Sequence, residues 1–420
     1  MNSAGWVGAV VVGFVTFACG AGDAADAEAT GSTSQPLANF KTFPNTTGAD
    51  GTYSTAGSID ESNPFFQSLG TNGRACVTCH APEAGWSITP AFVQARFDAT
   101  AGMDPLFRTV DGATSPSADV STVAARREAY ALLLQRGLVR IEMSVPASAE
   151  FTVTKVEDPY GYATTTKLSL YRRPRPTTNL KFASMVMWDG REPDLATQAN
   201  SATVGHAQGA ALSAAARASI VAFESAIFNA QVTDARVGSL QVNPAIHPLV
   251  ALSTETRVDA ADDKAFRWFT AWSQASTRPT AEQAAVARGE AVFNDIGKGS
   301  CSSCHSALNT GYTEVPRIID VGVSDPSEAG AGLPVYTLKN KTTGETIRTT
   351  DPGRALVTGW WLHVSNFKTP GLRGLAARAP YFHNGSVATL EGVVDFYART
   401  RFLLINDAEK ADLVAFLRAL

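Results

Sequence analysis

Apolar residues recur at helical spacing along much of this chain, most clearly in its last third. Thr280-Ala-Glu-Gln283 opens a run that continues through Ala291 to Phe293, and Thr280 and Gln283 have the spacing of a capping box. The chain closes on a second such run, with Asn406 as N-cap and Leu413, Phe416, Leu417 and Leu420 on one face. These two helices are expected to pack together. Between them, Leu390, Val393, Val394 and Tyr397 form an i, i+3, i+4, i+7 stripe. In the first half, Asn63-Pro64 starts a short helix, Val123 to Gly137 reads as helical, and Leu212 to Gln231 reads as one long amphipathic helix. Strand-like patterns are confined to Glu150 to Val156 and to residues 310–350, where β-formers alternate with turn residues. These scattered strands do not predict a sheet domain, so the expected fold is mainly α with small β elements in insertions.

Trp6 to Cys19 is apolar for 14 residues, short of the roughly 20 that span a bilayer. Its place near the start and the small residues after it fit an export signal. The usual basic residue ahead of the apolar run is missing, since the first is Lys41. Cys19 has two readings: the lipidated first residue of a periplasmic lipoprotein, or a residue lost with the signal. A polar, Asp/Ser/Thr-rich stretch then runs to about residue 58 and reads as a flexible tether.

Composition narrows the class. A chain of 420 residues that is 45% hydrophobic and 18% charged has material for two or three cored domains and is not disordered. Its net charge of −4 and the lack of a dense Lys/Arg run exclude a nucleic acid held through phosphates. The same weak charge offers no strongly charged docking face, so a protein partner is expected to bind transiently.

The four remaining cysteines fall into two identical patterns, Cys76-Val-Thr-Cys79-His80 and Cys301-Ser-Ser-Cys304-His305. Two thiols three apart lie on one side of a helical turn and can each form a thioether to a porphyrin edge, while the adjacent His reaches the iron as proximal ligand. A four-Cys zinc site normally has its pairs within roughly 20 residues of each other, and a thioredoxin-like dithiol does not account for a His after both pairs. Two covalently bound haem c groups are the expectation, and no disulfide is expected. The division that follows is a signal over 1–18, a tether over 19–58, an N-terminal haem c domain with an insertion over 59–239, a linker over 240–279 and a C-terminal haem c domain over 280–420.

Beyond these motifs, Phe367 to Tyr397 (FKTPGLRGLAARAPYFHNGSVATLEGVVDFY), Trp188-Asp189-Gly190-Arg191 and Asp351-Pro-Gly-Arg354 resemble segments of the bacterial di-haem cytochrome c peroxidase and MauG superfamily. The resemblance covers about residues 60–420. It implies an exported di-haem oxidoreductase that meets H₂O₂ or another oxidant at one haem and relays electrons through the other, with a small cytochrome c, a copper protein or a protein substrate as partner. Other readings are a non-catalytic di-haem electron carrier and a haem-dependent oxygenase.

The resemblance also assigns residues. Fourteen positions after His383 the family carries the distal ligand of the C-terminal haem, Met in the peroxidases and Tyr in MauG; here it is Tyr397, which the apolar stripe equally reads as core. A phenolate ligand would lower the potential of that haem. The family's His after the first motif is absent, the next being His206, which is either a substitute ligand or an ordinary His. The family's carboxylate in the segment after Trp188-Asp-Gly-Arg191 is also absent, since Leu195-Ala-Thr-Gln198-Ala has no acid and only Glu192 and Asp194 are near. Arg191, Arg354 and Arg373 are candidate propionate partners, and Trp188, Trp360 and Trp361 candidate relays. His383 reads as structural. Family members can hold Ca²⁺ through backbone carbonyls, here including Pro380.

Overall fold

The computed structural model describes residues 37–255, 265–299, 301–313 and 318–420. The signal, Cys19 and the start of the tether lie outside the described residues. Eleven helices are described: α1 Pro90–Thr100, α2 Val123–Ala129, α3 Ala131–Arg136, α4 Leu195–Gly205, α5 Ala214–Ala226, α6 Pro248–Thr254, α7 Ala281–Asn294, α8 Cys301–Cys304, α9 Ala355–Thr358, α10 Leu390–Arg401 and α11 Asp407–Arg418. The strands are β1 Thr42–Asn45, β2 Gly48–Ser54, β3 Val139–Ser144, β4 Phe151–Glu157, β5 Lys167–Arg172, β6 Ile227–Asp234, β7 Gly238–Ser239, β8 Ile318–Ile319, β9 Val335–Asn340, β10 Thr346–Thr349 and β11 Phe367–Lys368.

Both capping boxes form. Thr280 Oγ1 accepts from the Gln283 N–H and Gln283 Oε1 from the Thr280 N–H; Asn406 and Glu409 do the same at the start of α11. Each box satisfies backbone donors that a helix start otherwise leaves open. Helices α7 and α11 pack face to face, and their approach is set by Gly289. A Cβ there would lie 1.9 Å from the Asp412 carbonyl oxygen. Across the contact Phe266 meets Phe293 and Phe416 edge to face, and the latter two are tilted to each other, with ring centroids 5.2–5.4 Å apart.

That core corrects the linker reading of 240–279. Leu240, Phe266, Phe269 and Trp272 are buried in it with α7 and α11, because the apolar residues of Phe266–Trp272 recur every third position and turn one face inward. The tether reading also ends early. Thr42–Asn45 and Gly48–Ser54 form an antiparallel hairpin whose second strand pairs along its length with β6, giving a sheet ordered β1-β2-β6-β7. The long helix read over Leu212 to Gln231 stops at Ala226, and Ile227–Asp234 is that sheet's strand β6. A partner strand nearly 180 residues earlier decides the conformation of Ile227-Phe-Asn-Ala-Gln-Val, whose β-branched and aromatic residues suit it.

Strands of the two insertions share one sheet, β10-β9-β4, in which Phe151–Glu157 runs antiparallel to Val335–Asn340. Alternation within each segment showed a strand but not its mate. The helix read over Val123 to Gly137 is two short helices broken at Tyr130, the second closed by Gly137 in the left-handed region (φ 64°).

Candidate functional site

Each cysteine motif forms a tight turn at the wall of a cavity. In the first, Cys76–Thr78 is a 3₁₀ turn in which the His80 N–H donates to the Cys76 carbonyl at 3.0 Å. In the second, the short helix α8 ends at Cys304, and the His305 N–H donates to the Cys301 carbonyl, also at 3.0 Å. All four sulfurs are unbridged. Burial pushes the Cys76 thiol up to about 12 and the Cys79 and Cys301 thiols up to about 11, the opposite of the lowered thiol pKa of a redox-active dithiol. Among the described residues no group of three or more His, Cys, Asp or Glu is placed to hold a metal ion.

The two histidines are held identically. His80 Nδ1 lies 3.3 Å from the Trp86 carbonyl and His305 Nδ1 lies 2.7 Å from that of Gly311, six residues on in both cases. A carbonyl only accepts, so Nδ1 carries the proton and Nε2 keeps its lone pair, the tautomer that iron ligation requires. Burial lowers both pKa values, that of His80 to about 4, and keeps the rings neutral.

One cavity is lined by Cys76, Cys79, His80, Gln198, His206 and Glu224, the other by Cys301, Cys304, His305, His383 and Tyr397. Trp188 lines both. Its Nε1 donates to the Arg173 carbonyl at 2.7 Å, and its own carbonyl accepts from the Lys368 N–H at 2.7 Å. Trp360 is exposed, and neither it nor Trp361 lines either cavity. The three tryptophans therefore separate, and of them only Trp188 lines both cavities.

The segments around Trp188 are locked by one buried cation. Arg172 binds Asp351 bidentately at 2.6 and 2.9 Å and Asp189 at 2.5 Å. Burial would raise the Asp189 carboxyl, but Arg172 and Arg191 outweigh it and hold the group at about 2. Arg354 Nη1 donates to the carbonyls of Asp189 and Gly190 at 2.9 and 2.6 Å. The Trp188–Arg191 and Asp351–Arg354 segments, 160 residues apart, thus form one structural unit. His383 packs on it, 1% exposed and stacked 3.9 Å from the Phe367 ring.

Arg191 and Arg354 are consequently occupied within this unit. Arg373 differs: it donates to the Asn309 carbonyl, lies 4.0 Å from the Trp268 ring and leaves Nη2 without a partner. Two arginines missed in the sequence line the first cavity without a carboxylate partner. Arg173 donates only to carbonyls, and Arg175 donates to the Met187 carbonyl. Burial lowers Arg173 and Arg373 to about 9. Buried guanidinium groups without counter-ions are costly and fit the propionate carboxylates of a haem. The signal was the run Arg172-Arg173-Pro-Arg175, three cations at the end of a strand.

Tyr397 lines the second cavity together with Leu390, Val393 and Val394, and Leu390 and Val394 of the same stripe also belong to the core with α7 and α11. The phenol makes no hydrogen bond; burial and the two nearby cysteines push its pKa up. His206 caps the end of α4, its Nδ1 2.6 Å from Asp111, which also binds Arg74 at 2.5 Å. Asp194 N-caps α4, accepting from the Thr197 N–H at 2.7 Å, and neither it nor Glu192 lines the cavity. Gln198 does line it. Neutral histidines protonated at Nδ1 and unbridged sulfurs on the wall of each cavity, with Arg173 and Arg175 lacking carboxylate partners at the first, fit one haem c per cavity.

The comparisons agree with this chemistry. A family profile described as RoxA-like, cytochrome c-like, matches residues 366–403. The cytochrome-c peroxidase IdrP2 of Denitromonas iodatirespirans is 33% identical over 147 residues, 30% of this chain and 36% of that protein. The methylamine utilization protein MauG of Methylophilus methylotrophus is 28% identical over 263 residues, 59% of this chain and 68% of that protein. The match to IdrP2 thus spans about a third of its length. Among solved structures, a MauG-like protein associated with microbial copper homeostasis aligns with a TM-score of 0.44 at 17% identity, covering 85% of this chain and 86% of that one. With its two Cys-x-x-Cys-His walls meeting at Trp188, the chain is a homologue of the bacterial cytochrome c peroxidases and of MauG.

Proposed function

We propose that the protein is a di-haem c-type oxidoreductase that reduces a peroxide with electrons from a small redox protein. Cys76, Cys79 and His80 would hold one haem, and Cys301, Cys304 and His305 the other. Each haem would supply an iron able to bind an oxidant or exchange electrons. The observation that carries the reading is the shared geometry of His80 and His305, two neutral imidazoles with Nδ1 on a carbonyl, at cavities that meet on Trp188.

The residues divide the labour. We assign oxidant binding to the His80 cavity, because its wall carries Gln198, His206 and Glu224, polar groups that can hold and protonate an oxygen species. The His305 cavity presents the Tyr397 phenol in an apolar wall. Tyr397 would help to hold the haem of that cavity through its phenol oxygen, and Trp188 is the proposed relay between the sites. Arg173 and Arg175, which line the first cavity, would bind propionates. Export behind residues 1–18 belongs to the same reading, and among the described residues no helix is long and apolar enough to cross a membrane.

Electron paramagnetic resonance and visible spectra of the wild type and Tyr397→Phe, before and after one equivalent of H₂O₂, test it. Two haems, a changed resting signal from one of them in Tyr397→Phe and a response to peroxide are expected. A wild type whose spectra ignore peroxide sinks the enzyme and leaves an electron carrier; superimposable spectra of the two proteins remove the Tyr397 assignment.

A further inference from the structure

Cleavage of a peroxide needs a proton delivered to the departing oxygen. Gln198 faces the first cavity from α4, and its amide cannot perform that transfer. The neighbouring helix supplies an acid. Glu224 lies on α5, which packs against α4 through Ala199, Ile220 and Phe223. It is 3% exposed, lines the same cavity as His80 and Gln198, and has a buried Oε2 with no hydrogen-bond partner. Ile220, Phe223 and Glu224 share the buried face of α5, so the carboxyl is the one polar group on that apolar stripe.

We propose that Glu224 is the proton-delivering group of the His80 cavity. The proposal rests on the peroxide-reducing reading above. Burial supports it, raising the Glu224 pKa to about 8, so the carboxyl holds its proton at neutral pH. In the reaction one hydroxyl of H₂O₂ takes the Glu224 proton as the O–O bond breaks and leaves as water. The other hydroxyl takes two electrons from the redox-protein donor and one proton from solvent, giving the second water, and a further solvent proton restores the carboxyl. The balance is H₂O₂ + 2 e⁻ + 2 H⁺ → 2 H₂O. His206 differs as a candidate, since Asp111 holds its Nδ1 and its side chain is 38% exposed.

The test compares holoprotein wild type, Glu224→Gln, Glu224→Asp and the double variant Glu224→Gln/Gln198→Glu. Infrared difference spectra of wild type minus Glu224→Gln at pH 7 are expected to contain the carbonyl stretch of a protonated carboxyl, shifted in D₂O. Stopped-flow reaction with H₂O₂ is expected to slow by about 10²-fold or more in Glu224→Gln, with haem content and resting spectrum unchanged. The rate should recover in part when a carboxyl is placed at position 198, on the same cavity wall, or shortened to Asp at 224. An active wild type matched in rate by Glu224→Gln, or no protonated-carboxyl band, overturns the proposal alone. A wild type inert to peroxide overturns the functional reading, and this proposal with it.

Discussion

Asp189 and Glu224 are both buried acids, and their partners send them in opposite directions. Asp189 faces Arg172 and Arg191, and its pKa drops from 3.8 to about 2. The stability it contributes is full above pH 4 and is lost as pH falls through about 2. Glu224 has no charged partner, and its pKa rises from 4.5 to about 8. Between those values the native state keeps a proton that the unfolded chain gives up, so its effect is a loss of stability as pH rises. Urea unfolding at pH 5 and pH 8 should therefore show a larger fall in stability for the wild type than for Glu224→Gln, and equal falls would remove the assignment. Loss of Arg172 is the complementary case. Arg172→Met strands two buried carboxylates, and denaturant unfolding should register a loss of about 3–5 kcal/mol; a loss below about 1 kcal/mol, typical of a surface pair, would mean the unit is not held this way. At this scale the sequence was uneven as a guide. The cysteines and histidines of the two cavity walls stand in it as Cys-x-x-Cys-His, and the charge of Glu224 among Ile220 and Phe223 was visible. What it lacked was the wall that α5 faces, and so the difference between a solvated and a buried acid.

Helix ends were legible because their determinants are local: Thr280 with Gln283, and Asn406 with Glu409, are three residues apart and form the boxes they predict. Elements whose partner is distant were not. Ile227–Asp234 continues the periodicity of α5 well enough to read as helix, and only pairing with Gly48–Ser54 makes it a strand. The same pairing converts part of the polar N-terminal stretch from tether to sheet, with Phe43 buried beneath it. Gly289 shows how tightly one element pair is fitted. Since a Cβ at that position would sit 1.9 Å from the Asp412 carbonyl, Gly289→Ala must push α7 and α11 apart and loosen the Phe266–Phe293–Phe416 cluster. Alanine's better helix propensity offsets only about 1 kcal/mol, whereas overpacking costs roughly 1–3 kcal/mol. A net loss in thermal or urea unfolding is the expected outcome, and a gain would show that the two helices can separate freely.

At the scale of the whole molecule, Trp188 is the residue that the two cavities share among the described residues, and its neighbours hold it at several points. Trp188 is tied at Nε1 to the Arg173 carbonyl and at its carbonyl to the Lys368 N–H. The next residue, Asp189, is clamped by Arg172 to Asp351, and the Asp189 and Gly190 carbonyls by Arg354. The Arg175 guanidinium lies 5.3 Å from the Trp188 ring, and the His383 ring lies 6.2 Å away. Such a half-buried, hydrogen-bonded aromatic reorganises little when charge passes through it, which suits a relay better than an exposed tryptophan such as Trp360. Trp188→Phe keeps an aromatic ring between the cavities but removes the indole and its N–H bond. The expected result is an unchanged haem content and an unchanged peroxide response at the His80 side, with the response at the Tyr397 side slowed by about tenfold or more, equivalent to about 1.4 kcal/mol on the barrier. Time-resolved spectra after one equivalent of H₂O₂ separate the two signals. If both respond at wild-type rates in Trp188→Phe, the cavities exchange electrons by a route that bypasses the residue they share.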